Sequence, residues 1–122
     1  IAEQRKEYFV SEKGKYVNTD LVILVNERSA SASEVFSGAM QDYHRATLVG
    51  VKTFGKGSVQ SVIPLDDVSA MKLTTARYAT PLGRVIDMIG LTPDRVIANG
   101  PEGTPGSDRQ VMEAIAVLKQ YM

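Results

Sequence analysis

The feature that most constrains the fold is a short apolar run that leads directly into a helical pattern. Residues 21–25 are all branched and apolar, as expected for a strand that is covered on both faces. Residues 26–29 interrupt the run, and from about Ser31 apolar side chains recur at spacings of three and four. These side chains are Val35, Ala39, Met40 and Tyr43. A buried strand followed by an amphipathic helix predicts a crossover unit.

Four further strands are predicted along the rest of the chain. Residues 46–49 and 95–98 are short segments that lie close to glycine or proline. Residues 58–65 and 70–79 are longer, and the second of them alternates from residue to residue as a strand does. A short acidic turn, Asp66 and Asp67, separates the two, and this arrangement predicts a β-hairpin.

A second helix is predicted near the end of the chain. Ser107 is a favourable N-cap residue, and the helical pattern runs from there to about Tyr121. Its apolar stripe consists of Val111, Ile115, Leu118 and Met122. The order strand, helix, strand, hairpin and helix predicts an α/β fold with one crossover unit.

Composition excludes several classes of function. The 14 basic and 14 acidic residues balance, whereas a nucleic-acid-binding domain usually presents a basic face. The chain has no cysteine, which excludes disulfides, thiolate metal sites and cysteine nucleophiles. The longest apolar run is far shorter than the roughly 20 residues of a membrane-spanning helix. The remaining class is an ordinary globular domain.

Three serines crowd the predicted junction between the first strand and the first helix, at Ser29, Ser31 and Ser33. A hydroxyl at such a junction lies beside the free N–H groups of the helix N-terminus, which stabilise developing negative charge. Ser31 is therefore a candidate nucleophile. The alternative is structural, because Ser31 and Glu34 match the capping-box pattern. Judged by that local pattern alone, a serine is more often a helix cap.

A serine nucleophile needs a base nearby. His44 follows the first helix, about 13 residues and roughly 20 Å from Ser31, which is beyond hydrogen-bond reach. Lys56 lies between two glycines, which let a backbone approach other groups closely. A lysine amine is ordinarily protonated at neutral pH, but burial favours the neutral form that can accept a proton. Lys56 is therefore the candidate base, and the alternative is a solvated loop lysine.

Gln60 is a candidate partner of this lysine. It lies four residues beyond Lys56, so strand alternation would place both side chains on one face if Lys56 opened the strand. Gln60 would then orient the lysine without adding charge. The alternative is an ordinary exposed glutamine in a strand.

Three other patterns fit known motifs but lack a required part. Residues 50–56 match the start of a phosphate-binding loop, but Gly57 stands where a serine or threonine must reach the metal. Residues 69–72 match S-x-x-K, which requires one helical turn, whereas they alternate like a strand. Asp66 and Asp67 lack further metal ligands, so we interpret them as a turn.

Two motifs together carry a specific resemblance. Residues 29–34, Ser-Ala-Ser-Ala-Ser-Glu, and residues 53–60, Thr-Phe-Gly-Lys-Gly-Ser-Val-Gln, are similar to the paired signature of the carboxyl-terminal processing (tail-specific) serine peptidases. The separation of Ser31 from Lys56 also resembles that family, as does Leu-Thr-Pro-Asp at residues 91–94. Most of the chain shares the resemblance.

The resemblance implies a role for each site residue. Ser31 would be the nucleophile, Lys56 the general base and Gln60 the residue that holds the lysine, while the backbone N–H of Ala32 would be one oxyanion donor. The implied fold is a ClpP/crotonase-like spiral of strands and helices. The implied activity is a serine endopeptidase that cleaves proteins near their C-termini without a metal or cofactor. Members of the family are usually extracytoplasmic and usually carry an upstream PDZ domain.

The resemblance also predicts how much of such a peptidase the chain contains. We expect residues 1–122 to be the C-terminal portion of the peptidase domain, without the PDZ domain and without the N-terminal part. That part carries a glycine pair that supplies the second oxyanion donor, so we expect little or no activity from this chain alone. The alternative function is a catalytically silent interaction or assembly module, whose exposed apolar surface would favour a homo-oligomer.

Overall fold

The computed structural model describes residues 6–10, 12, 14–101 and 108–121. Its elements in that part of the chain are β1 (Val22–Val25), α1 (Ala32–Asp42), β2 (Thr47–Gly50), β3 (Ser58–Pro64), β4 (Ala70–Arg77), β5 (Arg95–Val96) and α2 (Arg109–Tyr121). The mixture and order of strands and helices confirm the predicted α/β class. Within the described residues, neither helix is long and apolar enough to cross a lipid bilayer.

Strands β1, β2 and β5 form a parallel sheet with β2 in the centre. Val22 pairs with Thr47 at one end of the β1–β2 ladder, and Val25 pairs with Gly50 at the other. Parallel neighbours need a crossover connection, and helix α1 provides it between the end of β1 and the start of β2. The predicted crossover unit is therefore confirmed.

The core of the protein lies around β2. Leu48 and Val49 are adjacent and point to opposite faces of the sheet, yet both are 0% exposed, so β2 is covered on both faces. One buried apolar cluster consists of Val25, Leu48, Ile86 and Leu91. In β1, by contrast, Leu24 is 44% exposed. The prediction of two covered faces was wrong for β1, because this strand lies at the edge of the described sheet rather than at its centre.

Helix α1 buries a polar face rather than the predicted apolar stripe. Its buried residues are Glu34, Ser37, Gly38 and Asp42. The stripe residues Val35, Ala39 and Met40 are half-buried, and Tyr43 is exposed. The buried face differs from the predicted stripe for two reasons. The polar side chains find hydrogen-bond partners in loops. Gly38 also packs so closely that a β-carbon there would lie only 2.7 Å from Thr80 Cγ2, which favours the face that carries this glycine. The face of α1 that packs closest is therefore small and polar.

Helix α2 is also rotated relative to its predicted face. Its buried residues are Gln110, Ala114 and Val117. Val111 and Ile115 of the predicted stripe are 37% and 48% exposed. The prediction was wrong because Gln110 is held inward: its side chain donates to the Ile97 carbonyl oxygen at 2.8 Å, and its backbone N–H donates to Asn99 Oδ1 at 3.0 Å. Two residues of the prediction, Ser107 and Met122, lie outside the described residues.

Strands β3 and β4 form the predicted antiparallel hairpin. Asp66 makes its turn, because one carboxylate oxygen accepts hydrogen bonds from the backbone N–H of Val68 and from the N–H and hydroxyl of Ser69. The Ser69 hydroxyl and these N–H groups lower the pKa of Asp66. The interpretation of Asp66 as a turn residue is confirmed, and the segment after Ser69 is a strand rather than the helical turn that S-x-x-K requires.

The C-terminal end of α1 is anchored by the buried carboxylate of Asp42. It accepts a hydrogen bond from the backbone N–H of Leu82 at 2.8 Å and forms an ion pair with Arg84. Burial raises the pKa of Asp42, but hydrogen bonds from Thr80, Leu82 and Arg84 together lower it by more, so it lies below its ordinary value of 3.8. The ionised carboxylate therefore stabilises the folded state.

Replacement of Asp42 by asparagine is expected to lower the free energy of unfolding at pH 7 by about 1–3 kcal/mol, because Arg84 loses its buried partner. Since the folded-state pKa is depressed, this stabilisation is present above about pH 4 and is lost as the pH falls further. Urea unfolding at pH 7 and at pH 3 measures this stabilisation. The free energies of unfolding of wild type and variant should differ less at pH 3 than at pH 7. Asp67→Asn, at an exposed position in the hairpin turn, is the control. An equal difference at both pH values would contradict the prediction.

Candidate active site

Ser31 begins helix α1 in a strained backbone conformation. Its φ and ψ are 57° and −120°, whereas an N-cap residue usually lies in the β region. A non-glycine residue held in a sparsely populated region costs roughly 1–3 kcal/mol. Strained strand-to-helix turns hold the serine nucleophile of other hydrolases, because such a turn exposes the hydroxyl. A role as a helix cap therefore does not explain the strained conformation of Ser31.

The first turn of α1 combines the predicted capping box with a free backbone donor. The glutamate half of the capping box is formed, since the backbone N–H of Ser31 donates to Glu34 Oε2 at 3.0 Å, whereas the Ser31 hydroxyl makes no cap hydrogen bond among the described residues. The N–H of Glu34 donates to the backbone carbonyl oxygen of Ser31 at 2.9 Å. The N–H of Ala32 has no acceptor among the described residues, as is usual for the first residue of a helix. This N–H is the donor that the sequence analysis predicts for an oxyanion.

The loop between β2 and β3 meets this turn at the Glu34 carboxylate. Oε2 also accepts a hydrogen bond from the backbone N–H of Lys56 at 2.8 Å. Because Ser31 and Lys56 both donate to this one oxygen, their backbone nitrogens lie within about 6 Å of each other. Oε1 accepts hydrogen bonds from the Thr53 hydroxyl and from the N–H of Gly55, the latter at 2.7 Å. The two motifs of the sequence are therefore in contact.

Both glycines beside Lys56 are required by close backbone packing. A β-carbon on Gly57 would lie 2.4 Å from the backbone nitrogen of Asp87, and one on Gly55 would lie 2.9 Å from that of Gly90. Gly55 also has a φ of 91°, which side chains disfavour. The close approach that these glycines predict is confirmed, and it presses the Lys56 loop against residues 86–90.

The side chains of Lys56 and Gln60 are both exposed. No hydrogen bond joins the Lys56 ammonium to the Ser31 hydroxyl in the part of the chain that the structure describes. Strand β3 begins after Lys56, and its ladder with β4 is irregular between Val59 and Gln60. Alternation therefore does not fix where Gln60 points relative to Lys56, because such an irregularity redirects side chains. The catalytic roles of Ser31, Lys56, Gln60 and Ala32 stay predictions.

His44 lies away from these residues. It follows Tyr43, which caps the C-terminal end of α1, whereas Ser31 lies at the other end of the helix. The side chain of His44 is exposed. This position agrees with its exclusion as a base for Ser31.

The Leu-Thr-Pro-Asp segment has a structural explanation. Asp94 Oδ2 accepts a hydrogen bond from the backbone N–H of Leu48 at 2.8 Å, and Oδ1 accepts one from the Gln41 side chain at 2.9 Å. The N–H of Leu91 donates to the Thr53 hydroxyl at 2.7 Å. The segment therefore joins α1, β2 and the Lys56 loop.

Sequence reasoning missed most of what Glu34 does. The sequence assigned it one bond, to the Ser31 N–H within the capping box, but the carboxylate is 0% exposed and also binds the loop at residues 53–56. No sequence signal pointed to these further bonds, because Glu34 lies outside the predicted apolar stripe and the capping box already accounts for it. A buried acidic residue needs such partners, but only the fold shows that Glu34 is buried.

Residues 2–97 match the sequence model of Peptidase family S41. A carboxy-terminal-processing protease of Bartonella bacilliformis is 52% identical over 89 residues, which cover 72% of this chain and 20% of that protein. A carboxyl-terminal-processing protease of Synechocystis is 46% identical over 117 residues, which cover 93% of this chain and 27% of that protein. The chain therefore spans about a quarter of the length of these relatives.

A solved structure extends the similarity to the fold. The photosystem II D1 C-terminal processing protease matches with a TM-score of 0.65 and 44% sequence identity, over 74% of this chain and 24% of that one. The fold predicted from the two motifs is thereby confirmed as that of the C-terminal processing proteases.

Proposed function

The chain belongs to peptidase family S41, and on that premise we propose that it carries the nucleophile and the general base of a serine endopeptidase. Ser31 is the nucleophile and Lys56 is the base. Gln60 orients the lysine, and the backbone N–H of Ala32 binds the oxyanion. Since the relatives are processing proteases, the substrates are proteins that are cleaved near their C-termini.

The contact of Ser31 and Lys56 with one carboxylate oxygen carries the proposal. Glu34 Oε2 lies 3.0 Å from the Ser31 nitrogen and 2.8 Å from the Lys56 nitrogen. A strained serine at a helix start and a lysine on a tightly packed loop are thereby neighbours. This supports a shared site, because a nucleophile and its base must come within hydrogen-bond reach of each other.

In the proposed reaction, the neutral amine of Lys56 removes the hydroxyl proton of Ser31 as the oxygen attacks the scissile carbonyl carbon. The carbonyl oxygen becomes negatively charged, and the Ala32 N–H stabilises it at the N-terminus of α1. The intermediate collapses when the lysine ammonium gives its proton to the leaving amine, which leaves an acyl ester on Ser31. Water, deprotonated by the same amine, then hydrolyses the ester and restores the hydroxyl.

The exposure of Lys56 places a requirement on the rest of the protein. An amine accepts a proton only when it is neutral, and exclusion of water favours that form. We propose that bound substrate and the remainder of a full-length protein cover Lys56 and exclude water from it. In that protein, residues 1–122 are the C-terminal portion of the peptidase domain. An upstream PDZ domain, a second oxyanion donor and an extracytoplasmic location belong to the same proposal.

A serine-directed fluorophosphonate tests the nucleophile. The probe is expected to modify Ser31 in the full-length protein, and mass spectrometry of the peptide that contains residues 29–34 locates the adduct. In this chain alone the reaction should be slower, because each missing oxyanion donor costs about 10²–10³-fold. An adduct on Ser29 or Ser33 instead, or a full-length protein that cleaves peptides without reacting at Ser31, would reject the assignment.

The exposed hairpin favours a second candidate function for this chain by itself. Strand β4 is exposed along its whole length, including the apolar side chains of Met71 and Leu73, and exposed apolar surface favours association. The second candidate is a catalytically silent interaction or assembly module. A chain that forms a stable dimer in solution, and neither reacts with the fluorophosphonate nor cleaves peptides, would fit this second function.

A further inference from the structure

Glu34 is buried where the two motifs meet. Among the described residues, each hydrogen bond to its carboxylate comes from Ser31 or from the loop that carries Lys56. The side chain is 0% exposed. Oε2 binds the N–H groups of Ser31 and Lys56, and Oε1 binds the Thr53 hydroxyl and the Gly55 N–H. A capping-box glutamate needs only the bond to its N-cap residue. The three further bonds therefore need another explanation.

We propose that Glu34 is a positioning residue, whose carboxylate holds the backbones of Ser31 and Lys56 in one arrangement. The inference rests on the proposed function, since it assigns a purpose to the contact between the nucleophile and the base. Glu34 takes part in no chemical step and acts through the two residues that it binds.

The bond to Ser31 keeps the strained turn in place. A serine N-cap ordinarily adopts the β region, so the φ of 57° at Ser31 persists only where surrounding contacts enforce it. A hydrogen bond from the Ser31 N–H to a buried carboxylate is such a contact, and bonds to a charged acceptor are stronger than neutral ones. Without it, relaxation of the backbone would redirect the hydroxyl.

The bonds to the loop hold the backbone from which Lys56 projects. The Thr53 hydroxyl, which donates to Glu34 Oε1, also accepts a hydrogen bond from the Leu91 N–H at 2.7 Å. The carbonyl oxygen of Gly55 accepts one from the N–H of Met88 at 2.8 Å. The loop is thereby clamped between α1 and residues 86–91, with Glu34 as the connection to α1.

Glu34→Gln in the full-length protein tests the inference. Glutamine keeps the size of glutamate, but its amide nitrogen is a donor and must face either the N–H groups at Oε2 or the donors at Oε1. We expect kcat for a peptide substrate to fall about 10²-fold, as for a misplacement of about 1 Å, with KM changed less than about threefold. The rate of fluorophosphonate modification of Ser31 should fall in parallel. Glu113→Gln, at a half-buried glutamate of α2, is the matched control and should keep the wild-type kcat.

Glu34→Asp is the second variant, and it decides the question if Glu34→Gln does not fold. It keeps the charge but shortens the side chain by one methylene, so it cannot reach all four donors, and kcat should fall by a similar factor. Thermal unfolding of each variant gives the temperatures at which it is fully folded, and the kinetics are measured there. A lower kcat under those conditions reports misplacement of Ser31 and Lys56 rather than lost stability. A folded Glu34→Gln or Glu34→Asp with the wild-type kcat, beside an inactive Ser31→Ala, would overturn this inference alone. An active Ser31→Ala would instead overturn the proposed function.

Discussion

Ser31→Ala in the full-length protein is expected to lower kcat for a peptide substrate by about 10⁴-fold or more, because the variant lacks the atom that forms the acyl bond. The remaining rate would come from substrate binding and from the oxyanion donor at Ala32. The bond from the Ser31 N–H to Glu34 does not need the hydroxyl, so the start of α1 should be retained. Initial rates of cleavage of a peptide with a free C-terminus, with products separated by chromatography, measure the effect.

Ser33→Ala is the matched control for that experiment. Ser33 lies on the first turn of α1, and its side chain is exposed. Each variant removes one hydroxyl oxygen from the start of α1. A loss of activity in Ser31→Ala alone therefore does not arise from a general change at the helix start. The kcat of Ser33→Ala should stay within about twofold of wild type, as for a surface substitution. Cleavage at the wild-type rate by Ser31→Ala would show that another group is the nucleophile.

Lys56→Ala is expected to lower kcat by about 10³-fold, within the range found for loss of a general base. Lys56→Arg separates the base from a purely electrostatic role. A guanidinium keeps the positive charge but does not lose its proton in proteins, so Lys56→Arg should be about as inactive as Lys56→Ala. Burst and steady-state rates with an activated ester measure acylation and deacylation separately, and both should fall.

Lys52→Ala is the control for the lysine variants, because Lys52 is an exposed lysine of the same loop that the proposal does not use. Its kcat should equal that of wild type. If Lys56→Arg kept the wild-type activity, the residue would act through its charge rather than as a base. If Lys56→Ala kept it, Lys56 would have no catalytic role.

The order and type of the elements could be predicted because alternation and helical periodicity are local properties of a sequence. The crossover unit from β1 to β2 and the hairpin of β3 and β4 follow from such patterns. The buried faces of both helices were mispredicted, since α1 buries Glu34 and Asp42 and α2 buries Gln110. Each of these polar side chains finds hydrogen-bond partners in a loop that is distant in the sequence. Hydrophobic periodicity carries no information about such partners.

The candidate site was predicted in part. The motifs identified Ser31 and Lys56 as a pair, and the glycines beside Lys56 indicated a closely packed loop, which the contact of Gly57 with Asp87 explains. The role of Glu34 beyond its capping box was not predicted. The capping-box pattern requires only Ser31 as the partner of Glu34, so no local pattern indicated a contact with the Lys56 loop.

By itself, the sequence determined which chemical groups are present and on which local structures they lie: a hydroxyl where a strand passes into a helix, and an amine between two glycines before a hairpin. Only the tertiary structure decided that both segments meet at the Glu34 carboxylate and that Ser31 is held at a positive φ. The physical reason is that a hydrogen bond between distant residues depends on the path of the chain between them. That path is set by how α1 and residues 86–91 pack around β2, which no local pattern records.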